Sequence, residues 1–198
     1  SDTVYASINW VLGAGQEVEY LRANAGATGL TLIGNELANR IYGNTGNDKL
    51  GGGAGNDTLD GGVGVDTLIG GDGDDVFYVD NVSDTVIEAA AGGSDTVYAS
   101  VNWALGAGQD VEYLRANAGA TGLTLTGNEL ANRIYGNTGN DTLDGGAGND
   151  VIKGGVGADN LTGGRSGSDS FQFSSGDSGQ IVGAIDKIMD FAKGAVGI

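Results

Sequence analysis

Seven aspartates recur at nine-residue intervals: Asp48, Asp57, Asp66 and Asp75 in one run, Asp141, Asp150 and Asp159 in another. Each closes a glycine-rich stretch, so the groups at hand are carboxylates and backbone carbonyls. The chain has no histidine, cysteine or proline. That excludes thiolate nucleophiles, disulfides, imidazole bases and His or Cys zinc sites. A donor set of oxygens alone suits a hard cation. Calcium accepts about 6–8 oxygens in flexible geometry, whereas magnesium demands a tighter octahedron and keeps its waters, so calcium is the expected ion. Adjacent carboxylates such as Asp74 and Asp75 also suit acid–base catalysis. No nucleophile or second functional type accompanies them, so no enzyme activity is expected. Asp72 and Asp74 read as solvated turn residues.

The charge points the same way. Nine Lys and Arg face 26 Asp and Glu in 198 residues, a net charge of −17. Such a chain repels nucleic acid and anionic membranes and attracts cations. Its apolar runs are a few residues long, far short of the roughly 20 that span a bilayer, so no membrane insertion is expected. The opening words, SDTVYAS, return at residues 94–100, and the chain starts at Ser1. It is therefore expected to be a piece of a longer protein.

The elements that position the aspartates are repeats on two scales. Residues 1–71 and 94–164 are identical at 59 of 71 positions, a tandem duplication with a period of 93. Inside it runs a nine-residue unit: from Gly34, GNELANRIY, GNTGNDKLG, GGAGNDTLD, GGVGVDTLI and GGDGDDVFY, and from Gly127, GNELANRIY, GNTGNDTLD, GGAGNDVIK and GGVGADNLT. A last unit, GGRSGSDSFQ, carries one extra residue. The consensus is Gly-Gly-x-Gly-x-Asp-x-U-x, with U a large apolar residue. Glycine at this density permits positive φ and close backbone approach, so the first six residues read as a turn. The last three read as a very short strand with one inward side chain. Stacked aspartates repel one another unless a cation lies between them. One apolar side chain in nine residues also makes a thin core. A Gly/Asp-rich composition fits a disordered linker as well, but strict register and the periodic apolar residue argue against that in calcium. Without calcium, disorder is expected.

This nonapeptide resembles the RTX calcium-binding repeat of proteins exported by type I secretion. The resemblance implies an all-β fold, a parallel β-roll with 18 residues per coil and turns along both edges. It also implies ions between turns one coil apart. Carbonyls of positions one, three and five come from one turn, and carbonyls of two and four plus the position-six carboxylate come from the next. Gly43, Thr45 and Asn47 then face Gly62, Gly64 and Asp66. Gly52, Ala54 and Asn56 face Gly71, Gly73 and Asp75. Gly34, Glu36 and Ala38 face Gly53, Gly55 and Asp57. In the second copy Gly136, Thr138 and Asn140 face Gly155, Gly157 and Asp159. Gly127, Glu129 and Ala131 face Gly146, Gly148 and Asp150. Gly145, Ala147 and Asn149 face Gly164 and Asp169, across the insertion at Arg165-Ser166. With Asp48 and Asp141 these are the candidate metal ligands of about six ions. Asn39 and Asn132 replace the aspartate in GNELANRIY, and these units read as coil ends that cap the roll.

The organisation expected is two tandem RTX rolls, 34–84 and 127–173, with β-strand segments at 1–33 and 85–126 that extend the solenoid. Val4, Ala6, Ile8 and Trp10 alternate onto one face of a single strand, with Tyr5 and Tyr98 on the exposed parity. Glu17–Leu21 and Leu30–Ile33 read as further strands, and Trp10 and Trp103 as core anchors. The tail, 174–198, resembles the segment closing the roll in serralysin-type metalloproteases, with Phe171 and Phe173 inward. Ile185, Ile188, Met189 and Phe191 follow at near-helical spacing, and Asp186 is a candidate for a last ion. AKGAVGI does not resemble an uncleaved secretion signal. The function expected is a secreted calcium-binding module that folds after type I export and stabilises its parent protein. The alternative is an accessory module that contacts polysaccharide or a cell surface. An exposed, repeated row of aromatic or basic residues would mark it, and the nine cations do not recur at nine-residue spacing. An ice-binding reading needs Thr-Gly-Asn in nearly every turn, and within the nonapeptide turns that triplet appears once per copy, at Thr45 and Thr138.

Overall fold

A computed structural model describes residues 1–88, 92–177 and 187–189. Each repeat's x-U-x triplet is extended, and the glycine-rich turn before it reverses the chain, so strands alternate between two facing layers. In the first copy they are β1 (Thr3–Ala6), β2 (Trp10–Val11), β3 (Tyr20–Ala23), β4 (Thr31–Ile33), β5 (Arg40–Tyr42), β6 (Lys49–Ala54), β7 (Thr58–Asp60), β8 (Thr67–Asp72), β9 (Val76–Val79) and β10 (Thr85–Ile87). In the second they are β11 (Thr96–Ala99), β12 (Trp103–Ala104), β13 (Tyr113–Ala116), β14 (Thr124–Thr126), β15 (Arg133–Tyr135), β16 (Thr142–Asp144), β17 (Val151–Lys153), β18 (Asn160–Thr162), β19 (Ser170–Phe171) and β20 (Lys187–Ile188). The described residues form no helix, and every pairing is parallel: the chain is a β-solenoid.

The odd-numbered strands make one continuous ten-stranded sheet through both copies, β9 pairing β11 across the boundary. The opposite layer is two separate five-stranded sheets, one ending at β10 and the other at β12. One inward side chain per strand fills the space between layers. Leu21, Ile41, Leu59, Phe77, Val97, Leu114, Ile134 and Ile152 stack along the long sheet. Leu32, Leu50, Leu68 and Val86 face them in one copy, and Leu125, Leu143 and Leu161 in the other. All of these are fully buried.

The structure corrects four sequence expectations. Thr3 to Trp10 is two strands, because the chain turns at residues 7–9 and Trp10 joins the opposite layer. The corner is clamped by polar groups: Asn24 Nδ2 donates to Ser7 Oγ and Thr31 N–H donates to Asn9 Oδ1. Ile8 is consequently exposed. Trp103 is buried in the core, but Trp10, on the outermost rung of its sheet, is half-exposed. The GNELANRIY units are not coil ends: β5 pairs with β3 and β7, and β15 with β13 and β17. In the tail, Phe171 packs against the core but Phe173 is exposed, and residues 187–188 are a strand against β18 instead of a helical turn. Ile185, Asp186, Phe191 and AKGAVGI lie outside the described residues.

Candidate metal centres along the two edges

Position six of each repeat sits where a turn enters a strand, and where it is aspartate its carboxylate is divided between two environments. Oδ1 reaches back one coil and accepts the backbone N–H of the equivalent residue. Asp57, Asp75 and Asp95 take the N–H groups of Asn39, Asp57 and Asp75 at 2.7–2.8 Å. On the other edge Asp48, Asp66 and Asp84 take those of Leu30, Asp48 and Asp66. The second copy repeats the arrangement through Asp141, Asp150, Asp159 and Asp169. Position five extends it outward, as Oδ1 of Asn47, Asn56, Asn140 and Asn149 accepts an N–H from the following coil.

Oδ2 is different. In Asp48, Asp57, Asp66, Asp75, Asp95, Asp141 and Asp150 it is buried and accepts no hydrogen bond. A buried carboxylate oxygen without a donor is strongly disfavoured unless the group is neutralised. Burial accordingly pushes Asp57 and Asp95 up to about 7, and Asp66, Asp75, Asp141 and Asp150 up to about 6. Backbone hydrogen bonds oppose the shift, and neighbouring carboxylates add to it for Asp57 and Asp66.

The oxygens cluster between turns one coil apart. A Cβ at Gly52 would clash with Oδ2 of Asp57 and stand 2.8 Å from the carbonyl oxygen of Gly70; at Gly43 it would stand 2.7 Å from Asp48 Oδ2 and 2.6 Å from Gly61 O. Gly136 and Gly145 are crowded in the same way by Asp141 with Gly154 and by Asp150 with Gly163. The position-six carboxylate thus belongs to the earlier turn and the position-one carbonyl to the later one. Position-two and position-four carbonyls of the earlier turn also point forward: Asn44 O and Gly46 O at Gly62 and Gly64, Gly53 O and Gly55 O at Gly71 and Gly73, Asn137 O and Gly139 O at Gly155 and Gly157. Position three of the later turn points back, since Gly46 N–H donates to Val63 O and Gly55 N–H to Asp72 O. Successive peptide planes alternate, and which parity faces which neighbour is not written in residue types.

The repeat turn needs glycine where φ is positive and a neighbouring backbone lies close, as at Gly62 (φ +77) under Asn44 O. Asn44 and Asn137 hold the same left-handed conformation at position two, which asparagine tolerates. The insertion is absorbed locally. Ser166 bridges Ala147 as a position-three residue, and Asp169 Oδ1 still accepts the Asp150 N–H at 3.1 Å.

In GNELANRIY the amide replaces the carboxylate for a structural reason. Asn39 Oδ1 accepts the Asn35 N–H, while its Nδ2 donates to Val18 O, and Asn35 Nδ2 donates to Gly13 O and Gln16 O. Asn132 and Asn128 do the same in the second copy. The preceding coil offers carbonyls there instead of an N–H. Glu36 and Glu129 turn outward, accepting the N–H of Gly15 and Gly108.

Sequence reasoning missed Asp84, Asp95, Glu112 and Glu88. Asp84 carried a readable signal, since Asp84-Thr85-Val86-Ile87 stands 18 residues after Asp66-Thr67-Leu68-Ile69. Asp95 follows Asp75 by 20 residues, a spacing the nonapeptide hides. Its own N–H goes to Glu112 Oε2 at 2.7 Å.

Four overlapping copies of the RTX calcium-binding nonapeptide repeat match this sequence, at residues 33–68, 51–86, 126–161 and 135–169. No curated protein matches it. The buried Oδ2 atoms and the carbonyls around them fit a calcium ion between turns in donor type and in charge.

Proposed function

Because residues 33–86 and 126–169 belong to the RTX calcium-binding nonapeptide repeat family, we propose that this calcium-binding module is a folding switch for a secreted protein. Calcium inside a cell is too dilute to occupy the turns, and the chain stays open enough to thread through a type I secretion apparatus. Outside, calcium near the roughly 10⁻⁴–10⁻³ M affinity range of extracellular modules fills the turns and drives folding. Several ions along one stack make the transition cooperative, and the folded solenoid stabilises the domains attached to it. About six ions are proposed, held by position-six carboxylates and turn carbonyls. The row of buried Oδ2 atoms without donors carries this reading, because it leaves the fold incomplete without cations. No helix among the described residues is long and apolar enough to cross a membrane.

Calcium titration followed by circular dichroism and calorimetry tests it. Cooperative gain of β signal with uptake of several ions is expected. A full β signal in excess EGTA would defeat the proposal.

A second reading gains one specific observation. The outer face of the ten-stranded sheet carries all seven tyrosines and five of the nine cations. One ladder reads Tyr5, Arg22, Tyr42, Asp60, Tyr78, Tyr98, Arg115, Tyr135, Lys153. Tyr78 stacks on Tyr98 with centroids 5.3 Å apart, and Arg115 lies 4.2 Å over Tyr135. The row escapes the nine-residue spacing because the flanking coils hold 17 and 20 residues. It suits contact with an anionic polysaccharide. Retention of the Arg115→Ala, Tyr135→Ala double variant on a polyuronate column at the parent's level would remove this reading.

A further inference from the structure

The boundary between the copies holds a group of side chains that no repeat turn contains. The two five-stranded sheets stop there, at β10 and β12, and only the long sheet continues. Following the forward-facing geometry, the turn at residues 70–75 faces Glu88 and residues 92–95. Residue 88, 18 positions after Gly70, occupies position one. Every nonapeptide has glycine there, offering only a carbonyl, but residue 88 is glutamate.

Glu88 puts its carboxylate where the other turns put that carbonyl. A Cβ at Gly70 would clash with both Asp75 Oδ2 and Glu88 Oε2, just as one at Gly52 meets Asp57 Oδ2 and Gly70 O. Asp95 completes the group. One carboxylate oxygen from each of Asp75, Glu88 and Asp95 lies within 4.8 Å of the other two, and all three residues are buried. Asp75 and Asp95 are 1% and 0% exposed, and Oδ2 of each accepts no hydrogen bond. The Gly73 carbonyl points at Gly93 on the same side, adding a neutral oxygen. Three buried carboxylates this close repel strongly unless a cation sits among them.

We propose that Asp75, Glu88 and Asp95 form a further cation site at the junction of the two copies, built from three carboxylates and taking a hard divalent ion such as calcium. It depends on the reading of the repeats for the identity of the ion alone. Three formal negative charges bind calcium more tightly than a turn that supplies mostly carbonyls. The ion fastens the end of β10 to the long sheet where the opposite layer is broken, so the junction fills first and joins the two copies.

The test uses the whole chain with calcium as the probe. Glu88→Gln keeps the size of the side chain and removes its charge. Calorimetry is expected to show one ion fewer per chain, the tightest, with the remaining ions bound as in the parent and the β signal in saturating calcium unchanged. The same ion count and affinities in parent and variant overturn the proposal. If E88Q does not fold, europium(III) excitation spectra of the unaltered chain decide, because the line position shifts with the number of carboxylate ligands. A minor line distinct from that of the turns supports the site, and a single line overturns it. A parent chain that binds no calcium overturns the reading of the repeats, whereas retention of every ion in E88Q overturns only the junction.

Discussion

The repeat turns and the coils flanking them solve the same problem with different groups. At Gly13–Asn39 the edge is closed by amides: Asn35 and Asn39 donate to Gly13, Gln16 and Val18 carbonyls, and the Gln16 side chain accepts the Gly13 N–H at 2.7 Å. These donors and acceptors are matched within the polypeptide, and the layer holding them spends more residues per coil, 22 from Trp10 to Leu32 against 18 from Leu50 to Leu68. In the repeats the turn is reduced to six residues, and Asp48, Asp57, Asp66, Asp75, Asp141 and Asp150 each satisfy one oxygen while burying the other. No side chain of the turn donates to that oxygen. The difference teaches that the compact repeat turn leaves a carboxylate oxygen without a donor from the chain, whereas the longer flanking turn does not.

Removing calcium should separate the two regions most. Amide exchange measured across falling free calcium should show residues 43–75 and 136–159 losing protection at higher calcium than residues 20–33 and 113–126. Equal midpoints in both regions would erase the contrast. Nearest-neighbour coupling in a solenoid limits how far the midpoints separate, but not their order.

Protons are the next substitute for the ion. In the metal-free fold burial raises the pKa values of Asp57, Asp66, Asp75, Asp141 and Asp150 to about 6–7, against roughly 3.9 in an unfolded chain. The folded state therefore holds more protons between those values. Its stability is fully present below about pH 4 and is lost as pH rises through 6 to 7. In chelator, the β signal should grow as pH falls from 8 toward 4. In calcium the dependence reverses, because protons compete with the ion, and calcium affinity should fall below about pH 6. A calcium-free spectrum that does not change with pH would show that the buried carboxylates are already matched.

Much of this was legible in the sequence. The Asp–x–U spacing gives the turn, the short strand and the inward residue, and Leu50, Leu59 and Leu68 are where the period places them. Less legible was anything that depends on a partner one coil away. The amide of Asn39 reads as a weakened ligand until Val18 O is seen beneath it. Glu88 reads as a surface charge until the chain folds it onto Asp75. The break after Ala6 was hidden because Ser7 and Asn9 keep strand parity while their side chains fasten a corner.

Glycine substitutions compare the regions at the level of the backbone. Gly62 and Gly26 both have positive φ, +77 and +85, but a Cβ at Gly62 would strike Asn44 O while one at Gly26 meets nothing within 4 Å. Gly26→Ala should cost about 1–2 kcal/mol from conformation alone. Gly62→Ala should cost more and also raise the calcium needed for folding. Equal losses in chemical denaturation would mean that the repeat turn is no tighter than the flanking one. The amide and carboxylate can also be exchanged. Asn39→Asp loses the donor to Val18 O and should destabilise by about 1–3 kcal/mol with or without calcium. Asp57→Asn should shift only the calcium midpoint upward.

The smallest effect belongs to the outer face, where the flanks carry what the repeats lack. Arg22 lies 4.1 Å over the Tyr42 ring and 5.1 Å over Tyr20, and Arg115 is placed alike between Tyr135 and Tyr113. In the pure repeat coil β7, the same ladder position is Asp60. Cation–π contacts at such exposed sites contribute about 0.5–1 kcal/mol. Arg22→Ala should therefore lower stability by that amount in calcium and leave the calcium midpoint of the repeats in place. A shift of that midpoint in calorimetry would mean that the face and the edges are energetically coupled through the strands, because Arg22 packs on the Tyr20 and Tyr42 rings and, among the described residues, forms no ion pair with a turn carboxylate.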